Sequence, residues 1–156
     1  MLSNEAQDLS EILITNGLTI SVAESCTGGS LSHALTRIPG ASSYFDCGYI
    51  TYSNQSKVEM LEVDTQTIKT YGAVSEEVAL EMVIGVTDKS HSDVAVSITG
   101  VAGPTGGTPE KPVGTVCFGF SYEGKTSTST QLFSGDRASI VSQSVSYALR
   151  QLSVRF

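Results

Sequence analysis

Hydrophobic and polar positions change their period along the chain, and each change predicts an element. The organising stretch is Leu18-Thr19-Ile20-Ser21-Val22-Ala23-Glu24-Ser25-Cys26-Thr27-Gly28-Gly29. Leu18, Ile20 and Val22 alternate with small or polar residues, the period-two pattern of a strand with one buried face. Glu24 to Gly29 break that alternation, and Leu31, Ala34, Leu35 and Ile38 then recur on one helical face. The stretch therefore reads strand, tight glycine turn, helix. A helix opening from such a turn presents unpaired N–H groups that suit a phosphate or a developing oxyanion. Upstream, Ala6, Leu9 and Leu13 share one side of a helix over 4–16, stopped by Asn16-Gly17.

Downstream, Pro39-Gly40 closes the second helix, and the aromatic and β-branched run 44–52 predicts a strand. Ser53-Asn54 caps a helix carrying Lys57 near its start, Asp64 caps a short helix before Gly72, and Ser75 opens a longer one striped by Ala79, Met82, Val83 and Val86. Val94, Val96 and Ile98 alternate as a strand that runs into a glycine-rich loop. Strands over about 113–121 and 125–133 pair across Glu123-Gly124, the Thr/Ser-rich second arm reading as a sheet edge. Asp136 caps a last helix with Val141, Val145, Ala148, Leu149 and Leu152 at helical spacing. The order predicts an α/β fold, a three-layer α/β/α sandwich with a mixed sheet.

Length and composition narrow this picture. A chain of 156 residues suits one domain, expected to span 1–156, with a core large enough to need no staples. No apolar run approaches a membrane span and the start is polar and acidic, so a cytoplasmic protein without membrane contact is expected. Cys26, Cys47 and Cys117 show no paired spacing and read as reduced thiols. A formal charge of −7 argues against a general nucleic-acid binder, yet a few cations and N–H groups can still hold one phosphate.

Ser25 sits where a nucleophile is exposed beside N–H donors, although the Gly-x-Ser-x-Gly spacing of a nucleophile elbow is absent. An N-capping serine is the other reading. Neither His33 nor His91 has an obvious orienting carboxylate, and both read as surface residues. A Ser–Lys pair with Lys57 is the alternative base. It requires the lysine pKa to fall from about 10.4 to roughly 7–8, about 4 kcal/mol in favour of the neutral amine. Burial, a helix N-terminus and a cation such as Arg137 all push in that direction. Cys26 is the rival nucleophile, since a thiolate at a helix start is activated. The loop from Thr99 through Gly100, Gly103, Gly106 and Gly107 lets backbone approach a ligand but lacks the Walker ending. No ligand spacing for a metal is present.

Several of these segments together resemble the C-terminal domain family of the CinA competence/damage-inducible proteins, whose characterised members include nicotinamide-mononucleotide deamidases. They are Ala23 to Gly29, Gly48 to Asn54 with Lys57, Gly72 to Glu76, Ser97 to Pro104 with Gly106-Gly107, Lys111 to Val116 and Gly135-Asp136-Arg137, in family order from about residue 5 to 152. The resemblance implies hydrolysis of the carboxamide of nicotinamide mononucleotide to nicotinic acid mononucleotide and ammonia, without metal or redox cofactor. It implies Ser25 as nucleophile, Lys57 as base, and Tyr52 and Thr99 as catalytic partners that orient Lys57 or the amide. Thr27, Gly28, Gly29, Asn54, Gly100, Gly103 and Arg137 are the implied substrate-binding positions, with amides around Thr27-Gly28 or Gly100 for the oxyanion and Arg137 for the phosphate or for tuning Lys57. Many family members carry an additional N-terminal domain, and this chain is expected to be a stand-alone version and a homodimer. A non-catalytic nucleotide-binding module linked to competence or DNA damage, and an amidohydrolase of a related small amide, are the competing readings.

Overall fold

Strand pairing places three parallel C-terminal strand ends side by side, and that edge carries the predicted chemistry. The computed structural model describes residues 2–156. Its sheet runs β2 (Phe45–Ile50), β1 (Ile20–Glu24), β3 (Val94–Gly100), β4 (Thr115–Tyr122) and β5 (Lys125–Leu132). β1 is parallel to both β2 and β3, whereas β4 and β5 return antiparallel through the hairpin at Glu123-Gly124. The sheet is therefore mixed, and β5 is an edge, as its Thr/Ser-rich sequence suggests.

Helices α1 (Leu2–Asn16), α2 (Ser30–Thr36) and α6 (Arg137–Ser153) share a core with Ile20, Val22, Ile98 and Phe118 on one face. Helices α3 (Asn54–Leu61), α4 (Thr65–Tyr71) and α5 (Glu76–Lys89) lie on the other, with Leu61, Met82 and Val83 packed against Ala23 and Ala95. The layering is α/β/α, as expected. One expectation is corrected: all five residues of β1 are buried, so the strand has two buried faces. A strand between parallel neighbours, with helices on both sides, has no solvent face, and small Ser21 and Ala23 occupy the second one.

The helix starts follow local chemistry. Ser53, Asp64, Ser75 and Asp136 each accept a first-turn amide with their own side chains. Gly85 brings α5 against the end of α3, for a β-carbon there would stand 2.2 Å from the Leu61 carbonyl oxygen. This close approach holds α3, and with it Lys57, over the C-terminal edge of β1 and β2.

Candidate active site

Ser25 is the first residue beyond β1, its amide bonded to the Ile98 carbonyl at 2.9 Å, so the neighbouring strand fixes its height. On the other side, the Thr51 amide reaches the Glu24 carbonyl at 2.9 Å and brings the end of β2 level with Ser25. Lys57, one turn into α3, is 1 % exposed. Its Nζ lies 2.9 Å from Ser25 Oγ and 2.8 Å from the Thr51 carbonyl oxygen. Burial lowers the Lys57 pKa from 10.5 to about 8, against a weaker upward pull from Cys26. Burial therefore supplies the depression that a lysine base requires.

The turn itself is built by Glu24, which sequence reasoning left without a role. Its fully buried carboxylate accepts from Thr27 Oγ1 (2.6 Å), the Leu31 amide (2.9 Å), the Ser32 amide (2.9 Å) and Ser32 Oγ (2.7 Å). The expectation of a free α2 N-terminus is corrected, because a carboxylate of the chain already caps it. The Thr27 hydroxyl likewise donates to Glu24. The available signal was an acid directly before the turn, placed to cap the helix beyond it. Glu24→Ala would strand two backbone amides and two hydroxyls, at about 1–3 kcal/mol for each group left buried. A loss of at least ~3 kcal/mol in denaturant-measured stability is expected, and an unchanged midpoint would contradict this role.

Tyr52 and Arg137 meet each other and make no bond to Lys57. The Arg137 guanidinium donates to Tyr52 Oη at 2.6 Å and to the Gly103 carbonyl at 2.7 Å, and Tyr52 is 57 % exposed. Thr99 Oγ1 donates to the Ala73 carbonyl at 2.9 Å. Hence neither Tyr52 nor Thr99 orients Lys57 in this structure; the Thr51 carbonyl does. Gly100 packs against β4, since a β-carbon there would be 2.8 Å from Val116. Gly103 has φ 79°, and a β-carbon would be 2.4 Å from Val113. Asn54 is exposed at the start of α3. Gly28 is exposed at φ 55° with open space beside it.

Two grooves border the turn and share Ser30: one of about 390 Å³ is lined by Gly28, Gly29, His33 and Arg37, the other, of about 690 Å³, by Asp136, Arg137 and Val141. A third, of about 680 Å³, lined from α5, β4 and β5, holds none of the predicted site residues. His33 and His91 are exposed, as expected. Burial pushes the Cys26 thiol up to about 12, which removes the thiolate a cysteine nucleophile needs. Among the described residues, no group of three or more His, Cys, Asp or Glu is placed to hold a metal ion.

Ser25 and Gly28 amides are paired to the Ile98 and Ser25 carbonyls. Among the described residues, the Cys26 and Thr27 amides donate to no main-chain acceptor. A hydroxyl against a partly neutral amine, with amides one and two residues on that are not tied to main-chain carbonyls, can perform acyl transfer.

The profile of the CinA C-terminal domain matches residues 3–156. The chain is 47% identical, over 92% of its length and 88% of the relative, to a nicotinamide-nucleotide amidohydrolase PncC of Enterobacter agglomerans. It is 45% identical, over 100% of its length and 98% of the relative, to the protein of that name from Escherichia coli K12. In three dimensions it resembles the crystal structure of a competence-damaged protein (CinA) superfamily protein from Escherichia coli, with a TM-score of 0.96 and 36% identity over 100% of this chain and 91% of that one.

Proposed function

Because the chain belongs to the CinA C-terminal domain family, we propose that it is a nicotinamide-nucleotide amidohydrolase. It converts nicotinamide mononucleotide to nicotinic acid mononucleotide and ammonia, with residues 1–156 working as a single domain. The observation that carries a Ser–Lys mechanism is the 2.9 Å contact between Lys57 Nζ and Ser25 Oγ in a buried setting.

Neutral Lys57 takes the Ser25 proton as Oγ attacks the carboxamide carbon. The Cys26 and Thr27 amides receive the tetrahedral oxyanion; Gly28, one of the expected donors, has its amide engaged. Lys57 returns the proton to the departing nitrogen, ammonia leaves, and water releases nicotinic acid mononucleotide from the acyl-enzyme by the reverse sequence. Arg137, held between Tyr52 and Gly103, and the open Gly28-Gly29 backbone border the two grooves, and the phosphate is assigned to that side. Tyr52 then acts by orienting Arg137, and Thr99 by fixing the 72–75 loop over the end of β3. Homodimerisation and a cytoplasmic location belong to the same reading. No helix among the described residues is long and apolar enough to cross a membrane.

Purified protein treated with chelator should release ammonia from nicotinamide mononucleotide. Since the active form has Lys57 neutral, kcat/KM should rise with pH and level off near the value of about 8 at which Lys57 loses its proton. A folded protein that binds the nucleotide and releases no ammonia would reduce this reading to a binding module.

A further inference from the structure

The protonation cycle of Lys57 leaves one hydrogen unaccounted for. As a neutral amine, Lys57 offers its lone pair to Ser25 and carries two N–H bonds, one of which the Thr51 carbonyl accepts. Once it has taken the serine proton it has three N–H bonds, and its contacts supply two acceptors, Ser25 Oγ and Thr51 O. A buried ammonium with an unsatisfied N–H is costly. Thr51 is 0 % exposed, and its Oγ1 is a buried polar atom that, among the described residues, has no hydrogen-bond partner. Buried hydroxyls are ordinarily paired, so an orphan one requires an explanation.

Register places that hydroxyl on the Lys57 side of the sheet. Ile50 pairs with Glu24 and extends its Cδ1 toward Gly29, on the α2 face. Alternation turns Thr51 to the opposite face, the one on which Tyr49 packs with Leu61 of α3. We propose that Thr51 is a positioning residue for the amidohydrolase reaction: its carbonyl orients neutral Lys57, and its Oγ1 accepts the third N–H of the ammonium that forms when Ser25 gives up its proton. This rests on the Ser–Lys reading above. The balance is simple. The Ser25 O–H breaks as its oxygen bonds carbon, the proton resides on Lys57 Nζ with Thr51 O and Oγ1 as acceptors, and it then moves to the leaving nitrogen.

Titratable and charged groups on the neighbouring elements have partners of their own or stay neutral. Cys26, on the turn, stays a thiol. From α5, Glu76 is held by Thr128 and Thr130, Glu81 accepts from the Asp64 amide and Thr67, and Lys89 pairs with Glu62. Glu24 caps α2 on the far face. Arg137 is engaged with Tyr52 and Gly103.

The test is Thr51→Val, which keeps the shape and the carbonyl and deletes the hydroxyl, alongside Thr51→Ala and Thr51→Ser. Lysine-labelled NMR, with the Lys57 signal identified by its loss in Lys57→Arg, gives the titration of that amine directly. In both hydroxyl-free variants Lys57 should titrate about one pH unit lower and kcat on the alkaline plateau should fall about tenfold or more, the worth of a hydrogen bond to a charged group. Thr51→Ser should restore both to within about threefold. Melting temperature in Thr51→Val should hold or rise well above pH 8, where Lys57 is neutral and the hydroxyl is an orphan, and should fall below it, where the ammonium has lost an acceptor. A Lys57 titration identical in wild type, Thr51→Val and Thr51→Ala overturns the proposal whatever the turnover. A shifted titration in a protein inactive on nicotinamide mononucleotide would instead uphold it and reject that substrate.

Discussion

Ser25→Ala is expected to abolish turnover of nicotinamide mononucleotide, with a fall in kcat on the order of 10⁴-fold or more, as when other enzymes lose a covalent nucleophile. Binding of the nucleotide should survive, since its phosphate is assigned to the Arg137 and Gly28-Gly29 side. Stability should change little, because Ser25 contributes one side-chain hydrogen bond, to Lys57, while its amide bond to Ile98 is retained. The companion variant Cys26→Ala should keep activity within a few-fold, for its thiol is held protonated by burial. Ammonia release and a nucleotide-dependent thermal shift, measured on the same samples, check both halves. Full turnover in Ser25→Ala, with activity lost in Cys26→Ala, would transfer the nucleophile to the thiol.

Lys57→Met should lose activity to a similar degree and should also change how stability depends on pH. In the wild type the Lys57 pKa drops from 10.5 in the unfolded chain to about 8 in the folded one. Below about pH 8 both forms hold the proton, and the folded state bears the full penalty of a buried ammonium, about 3 kcal/mol for a difference of that size. Between about 8 and 10.5 the unfolded chain binds the proton that the folded one has released, so stability from this site rises with pH. The raised pKa of Cys26 acts in the opposite sense, its contribution being lost as pH climbs from 9 toward about 12. Comparing the variant with the wild type cancels that second trend. The stability advantage of Lys57→Met should shrink by about 3 kcal/mol from pH 7 to 10.5 in urea titrations. A pH-independent difference would mean that Lys57 keeps an ordinary pKa and is no base.

Much of the layout was legible because it is local. Asp64, Ser75 and Asp136 announce their helices through side chains that bond amides two or three residues on, and Glu123-Gly124 turns the hairpin between adjoining strands. Ser25 and Lys57 were legible as chemistry, one beyond a strand and one in a first turn. Glu24 was not, because its four donors become neighbours only when the turn folds back over the end of β1. Tyr52 and Thr99 are partners of Lys57 or of the amide by family resemblance alone, and in the folded chain their hydroxyls bond to Arg137 and Ala73.

Period, capping and turn chemistry, then, determined the elements, the mixed sheet and the position of a reactive turn, since each depends on residues within a few positions of one another. Tertiary structure decided the rest. It buried β1 on both faces, brought Lys57 onto a serine 32 residues away, and joined Tyr52 to an arginine 85 residues further on. It also lowered the lysine pKa, because desolvation is a property of the assembled core and no spacing along the chain encodes it.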